Sequence, residues 1–257
     1  MPNSLDLSGR IAVVTGGTSG LGRALAVGLA EHGANVIPTG RRADAIDFAC
    51  REIEALGRET LRCASDVGNR ASLECMRDAV LARFGHIDVL INAAGYTLKQ
   101  PTIRVTDEQW DALFDTDLTG AFRACQIFFE PLKASGRGRI VNIASLGSFV
   151  AFHEVAAYCA AKSGLLSLTR SLACEWAQYN ISVNAIAPGV FPTELNKNII
   201  HGTGRGRELL MRTPMNRFGR PEELVGTAVL LASDAASFLT GQCIAVDGGL
   251  LASGVNS

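Results

Sequence analysis

The chain is poor in the features that mark several large functional classes. Aromatic residues make up 6% of its 257 positions, and 24 Lys plus Arg nearly balance 25 Asp plus Glu, leaving a net charge of -1. Nucleic-acid binders need a basic footprint, and many add stacking platforms, so both counts argue against one. The seven cysteines (50, 63, 75, 125, 159, 174 and 243) are odd in number, scattered and never in C-x-x-C. No disulfide framework or zinc knuckle can be read from that spacing. His32, His86, His153 and His201 are too dispersed to suggest a metal cluster. No apolar run approaches the ~20 residues that cross a bilayer, and the first ten residues lack the cationic and apolar regions of a secretory signal. The expectation is a cytoplasmic, reducing compartment, with neither nucleic acid nor membrane as partner.

Glycine is in excess: 27 of 257 residues, about 10% against a usual ~7%. Some of the backbone must turn sharply or be approached closely. Hydrophobic residues, at 47%, suffice for a large core. Short apolar runs read as strands at Ile11–Val14, Asn35–Thr39, Thr60–Ala64, Val89–Asn92, Ile140–Ala144, Ser182–Ala187 and Cys243–Val246. Helical patterns separate them at Leu21–His32, Ala43–Leu56, 70–84, 107–131, 156–179 and 221–232. The alternation predicts one α/β domain over 1–257, a doubly wound, seven-stranded parallel sheet with helices on both faces. Ligands of such sheets sit beyond the carboxyl ends of the strands.

The first such loop is Thr15-Gly16-Gly17-Thr18-Ser19-Gly20-Leu21-Gly22. Gly16 permits a tight turn out of the strand, Gly20 lets backbone approach a pyrophosphate, and Gly22 lets helix and strand pack closely. This is a Rossmann-type nucleotide loop, with the phosphate on the N–H groups that open the next helix. At the end of the second strand, where an NAD enzyme usually carries a carboxylate for the ribose 2′-OH, stand Gly40, Arg41 and Arg42. A guanidinium there suits a 2′-phosphate, so NADP(H) is expected, with NAD as the alternative.

The spacing T-G-x-x-x-G-x-G resembles the short-chain dehydrogenase/reductase family, and the resemblance runs from about residue 8 to 250. Asp66-Val67, Asn92-Ala-Ala-Gly95, Ser145, Tyr158-x-x-x-Lys162, Pro188-Gly189 and Val246-Asp-Gly-Gly249 carry it in order. Within the family, 212–226 is most similar to sugar-acid and polyol reductases such as gluconate 5-dehydrogenases, with 3-oxoacyl-carrier-protein reductases close. The resemblance implies that Asp66 and Val67 hold adenine and that Asn92 to Gly95 line the riboses. It further implies that Pro188, Gly189, Val190 and Thr193 fix the nicotinamide amide, and that subunits assemble as a homodimer or homotetramer.

The catalytic group is Ser145, Tyr158 and Lys162. Lys162 lies one helical turn beyond Tyr158, on the same face. Interconverting a ketone and a secondary alcohol requires a proton donor and acceptor at oxygen, and a free tyrosine titrates near pH 10, too high for a base near neutrality. A neighbouring ammonium favours phenolate, and Ser145 can hold the substrate oxygen. By resemblance Tyr158 and Lys162 also meet the cofactor ribose. One departure stands out: Asp117 occupies the family's usual Asn position, where an ionised carboxylate pairs with Lys162 and offsets its pull. Lys99, His153 and Arg205 lie in loops after strands, and glycines 202, 204 and 206 would let 191–214 close as a mobile lid over an anionic substrate such as a keto sugar acid. A weakly active cofactor-binding sensor is the competing expectation.

Overall fold

Six parallel strands form one sheet in the computed structural model, which describes residues 4–193, 196–200 and 202–254. They are β1 (Ile11–Thr15), β2 (Asn35–Thr39), β3 (Val89–Asn92), β4 (Arg139–Ile143), β5 (Ser182–Pro188) and β6 (Cys243–Val246), ordered β2-β1-β3-β4-β5-β6. The helices are α1 (Gly20–Glu31), α2 (Ala43–Ala55), α3 (Arg70–Phe84), α4 (Asp107–Phe114), α5 (Gly120–Ala134), α6 (Ala156–Trp176), α7 (Lys197–Ile200), α8 (Gly204–Arg212) and α9 (Val225–Ala232). Period-2 alternation divides β1 between two cores. Ala12 and Val14 join Leu25, Leu29 and Val229 on the α1–α9 side, whereas Ile11 and Val13 join Leu73, Phe128 and Trp176 on the other. Because β1 has β2 on one side and β3 on the other, the chain reverses its winding direction there. The crevice between the loops after β1 and β3 is therefore where a ligand belongs.

The expected strand at 60–64 does not form, so six strands rather than seven are seen among the described residues. Pro38 is the reason. Val36 N donates to Glu59 O (3.2 Å) and Ser65 N to Gly40 O (2.8 Å), so the segment does run along the free edge of β2. The next donor due on that edge belongs to residue 38, and proline has no N–H. Side chains fill the gap: the Cys50 thiol faces Leu61 O (3.9 Å), Thr60 Oγ1 donates to Val36 O (2.6 Å) and Thr39 Oγ1 to Cys63 O (2.9 Å).

Two further segments differ from expectation. The single helix foreseen at 107–131 is α4 and α5 joined by a π turn over Asp115–Thr119, and α5 continues past Pro131. Such wide turns recur at functional sites, and this one carries the buried Asp117. Segment 191–214 contains α7 and α8 rather than a bare loop; residues 194, 195 and 201 lie outside the described ones. A Cβ on Gly206 would fall 1.8 Å from Ile200 O, so this glycine is required by close packing of α8 on α7.

Candidate active site

The glycine loop after β1 forms a cradle. A Cβ on Gly16 would lie 2.7 Å from Ala94 Cα, and one on Gly22 only 2.2 Å from Gly16 O, so the loops after β1 and β3 touch through backbone. Among the described residues, Gly20, at φ +53, has only Thr193 within contact range of a Cβ, its Cγ2 at 3.5 Å. Ser19 precedes α1 in an extended conformation without capping it, and the first turn contains no acid. The opening N–H groups of a twelve-residue helix are thus available to a phosphate. Leu21 packs sideways onto the core. Thr18 Oγ1 would lie 2.9 Å from a Cβ on Gly40, so Thr18 closes over the end of β2. Arg41, just beyond, is exposed and has no carboxylate partner among the described residues. These residues fit a dinucleotide with an extra phosphate.

Farther along the crevice, Asp66 Oδ1 accepts from Gly68 N (2.9 Å), and buried Val67 packs so tightly that a Cβ on Gly120 would come within 2.8 Å of it. Arg123 ties this loop to the π turn, donating to Val67 O (3.3 Å) and Asp115 Oδ1 (2.7 Å). Asn92 is turned into the sheet. Its amide donates to Asn142 Oδ1 (2.9 Å), and Asn142 donates onward to Thr169 Oγ1 (2.9 Å), linking β3, β4 and α6. Beside this chain of bonds, burial pushes the Cys125 thiol up to about 12. Pro188 ends β5, Gly189 N donates to Val246 O (2.9 Å), and Val190 O accepts from Gly219 N (2.9 Å). Thr193, above Gly20, brings this loop over the cradle.

The chemical group stands at the carboxyl ends of β3 and β4. Ser145 Oγ accepts from Gly147 N (3.1 Å), which fixes the hydroxyl and leaves its proton free to donate. Tyr158 is half-buried in the first turn of α6 and, like Leu98, Phe114 and Leu118, packs against the cluster of Leu113, Ala157 and Ala161. Lys162 Nζ lies 5.7 Å from the Tyr158 ring centre and donates to Ile143 O (3.0 Å). The ammonium also lies 3.2 Å from Asp117 Oδ2, an ion pair in which both side chains are buried. Asp117 Oδ1 accepts from Tyr96 N (3.0 Å), while Oδ2 has no aligned hydrogen-bond donor. Burial raises the Asp117 carboxyl above the ordinary carboxylate range, and Lys162 and the Tyr96 amide only partly pull it back. Gly95 allows this contact: a Cβ there would sit 2.7 Å from Asp117 Oδ2.

The three residues read as substrate contacts do converge, but on a protein group. Lys99 Nζ donates to Glu154 Oε2 (2.6 Å), His153 Nδ1 lies 3.8 Å from the same oxygen, and Arg205 donates to His153 O (2.9 Å). Sequence reasoning passed over Glu154, although it is the lone acid between Leu146 and Ala157. It also passed over Tyr96, whose amide anchors Asp117. Burial, then the Asp117 charge, pushes the Tyr96 hydroxyl up, and Arg41 pulls it back.

A glycine cradle at the winding reversal, beside a Tyr/Lys pair and a serine, defines a nicotinamide-type oxidoreductase. Residues 16–251 match the family model described as enoyl-(acyl carrier protein) reductase, and the chain belongs to the short-chain dehydrogenase/reductase family; it is an oxidoreductase acting on CH–OH groups. It is 37% identical over 251 residues to the 2-dehydro-3-deoxy-D-gluconate 5-dehydrogenase of Escherichia coli, covering 97% of this chain and 98% of that one. It is 38% identical over 244 residues to the NAD-dependent glycerol dehydrogenase of Listeria innocua, covering 95% and 94%. Among solved structures, the gluconate 5-dehydrogenase of Burkholderia cenocepacia, in complex with NADP and tartrate, superposes with a TM-score of 0.94 at 36% identity and covers 98% of each chain.

Proposed function

We propose that this chain uses NADP(H) to interconvert a secondary alcohol and a ketone on a polyhydroxylated substrate, a sugar acid or a polyol. The observation that carries this reading is the grouping of Ser145, Tyr158 and Lys162 at the strand ends beside the glycine cradle. Exposed Arg41 favours NADP over NAD, because its guanidinium can take a 2′-phosphate. The bound nicotinamide supplies hydride to the carbonyl carbon or removes it from the alcohol. Tyr158 Oη gives its proton to the ketone oxygen, or takes it from the alcohol in the reverse direction. The Ser145 hydroxyl donates to that oxygen as negative charge develops. Lys162, held by Ile143 O, supplies a positive charge near the phenol, and Asp117 offsets part of it.

The other assignments belong to the same reading. Residues 1–257 act as one cytoplasmic catalytic domain, with segment 191–214 covering the substrate. Asp66, Val67, Gly95 and the Pro188–Thr193 loop line the cofactor. Exposed Trp110 on α4 and Phe122 on α5 support a homodimer or homotetramer through those helices. A second reading, a cofactor-binding member with little turnover, draws support from the buried Asp117 beside Lys162. Purified protein with NADP⁺ and a panel of alditols and aldonic acids separates the two. Reduced-nicotinamide absorbance should rise with at least one substrate. Tight NADP⁺ binding with no absorbance change across the panel would leave only the second reading.

A further inference from the structure

Three loops from neighbouring strand ends meet at Glu154. The loop after β3 brings Lys99, the loop after β4 brings His153 and Glu154, and the first turn of α8, beyond β5, brings Arg205. Leu98, next to Lys99, packs against the same cluster of Leu113, Ala157 and Ala161 as Tyr158, so the meeting point borders the chemical group. Glu154 has φ +64, a left-handed conformation that residues other than glycine seldom take. Its own carbonyl, which accepts from Gln100 N (2.9 Å), and the 2.6 Å bond from Lys99 to its carboxylate hold it there. The hydrogen bond from Lys99 holds the Glu154 carboxyl below the usual range, helped by the charges of Lys99, His153 and Arg205, so it is ionised at neutral pH.

Lys99 is the ammonium that a sugar-acid carboxylate would seek at this end of the cleft, and Glu154 already occupies it. A substrate carboxylate drawn to Lys99 must displace Glu154 and then lie beside a freed anion, and the Arg205 guanidinium, tied to His153 O, already lends its charge to Glu154. Hydroxyls meet no such penalty, because they can donate to Glu154 and accept from Lys99. We propose that Glu154 sets the charge selectivity of the cleft: by holding Lys99 it makes the enzyme prefer an uncharged polyol or its ketone over a sugar acid. The assignment rests on the function proposed above and narrows its substrate class.

The test compares kcat/KM for alditols and for aldonic acids of matching chain length, with NADP⁺, in wild type and Glu154→Gln. Wild type favours the alditols. Glu154→Gln, which keeps the shape and removes the charge, raises the aldonate-to-alditol ratio by about tenfold or more, since like-charge juxtaposition is what rejects the acid. Lys99→Met in the Glu154→Gln background reverses that gain, and Lys99→Met alone lowers the ratio below wild type, which keeps the test available should the Gln variant fold poorly. A wild-type preference for aldonates, or a ratio that Glu154→Gln leaves unmoved, overturns the assignment while leaving the hydride-transfer reading intact. Wild type that binds NADP⁺ yet turns over neither series overturns both.

Discussion

Replacing Gly22 by alanine tests whether the cradle positions α1 for phosphate binding. The new methyl group would start 2.2 Å from Gly16 O and 2.8 Å from Gly16 C, whereas Cβ contacts under 3.0 Å essentially never occur. Gly22 is helical and buried, so the conflict is purely steric, and α1 must retreat by about 0.8 Å or more from the loop. An N–H···O bond of ~2.9 Å lengthened that far leaves the hydrogen-bonding range. Each charge-assisted bond contributes roughly 1.5–3 kcal/mol, so losing two weakens cofactor binding by about 3–6 kcal/mol. That is a rise in Kd on the order of a hundredfold to ten-thousandfold. The overpacked site also loses about 1–3 kcal/mol of stability. Gly226→Ala is the matched control: it sits in α9, exposed, with nothing within 4 Å of a Cβ. There the methyl group reduces the freedom of the unfolded chain and should stabilise by about 0.4–1 kcal/mol. NADPH fluorescence titrations and thermal melts of both variants read these effects. A Gly22→Ala protein that binds NADPH within about threefold of wild type would refute the cradle argument.

Arg41→Asp should weaken use of NADPH far more than use of NADH, since it removes a contact contributing about 1.5–3 kcal/mol and adds repulsion toward the 2′-phosphate. Equal changes in kcat/KM with the two cofactors would remove Arg41 from the 2′-phosphate site. Asp117→Asn makes a signed pH prediction. The folded chain holds the Asp117 proton to higher pH than the unfolded chain does. The stability this group contributes is therefore present below the ordinary carboxylate range and lost as pH rises through the raised value. The neutral amide of the variant suffers no such loss, so urea melts from about pH 4 to 8 should show the variant gaining on wild type with rising pH. A difference that is flat with pH, or slopes the other way, would mean that the carboxyl is not held up by burial.

Local signals were the legible ones. The glycine loop and α1 are contiguous, so their placement follows from spacing alone, and Tyr158 and Lys162 meet because four residues make one helical turn. What escaped depends on neighbours that the chain does not show in one dimension. The run at 60–64 has the composition of a strand, yet its partner edge contains Pro38 and cannot complete the ladder. The Asn92 side-chain nitrogen bonds Asn142, fifty positions away, which bonds Thr169 in turn, a link that no local spacing announces. The pairing of Lys99 with Glu154 spans fifty-five positions and changes the meaning of a lysine that alone suggests an anion receptor. The π turn that buries Asp117 interrupts an otherwise continuous helical pattern without a proline or glycine inside it to announce the break.

The central claim is that Tyr158 moves the proton while hydride passes between substrate and NADP(H), and Tyr158→Phe tests it most directly. The variant loses one hydroxyl and keeps its ring against the cluster of Leu113, Ala157 and Ala161. Cofactor titration and turnover should be measured on the same preparation, with the best alditol or aldonate found for wild type. The account predicts NADPH affinity close to wild type and turnover lower by about a hundredfold or more, as expected for removal of a general acid–base group. Turnover within a fewfold of wild type would contradict it.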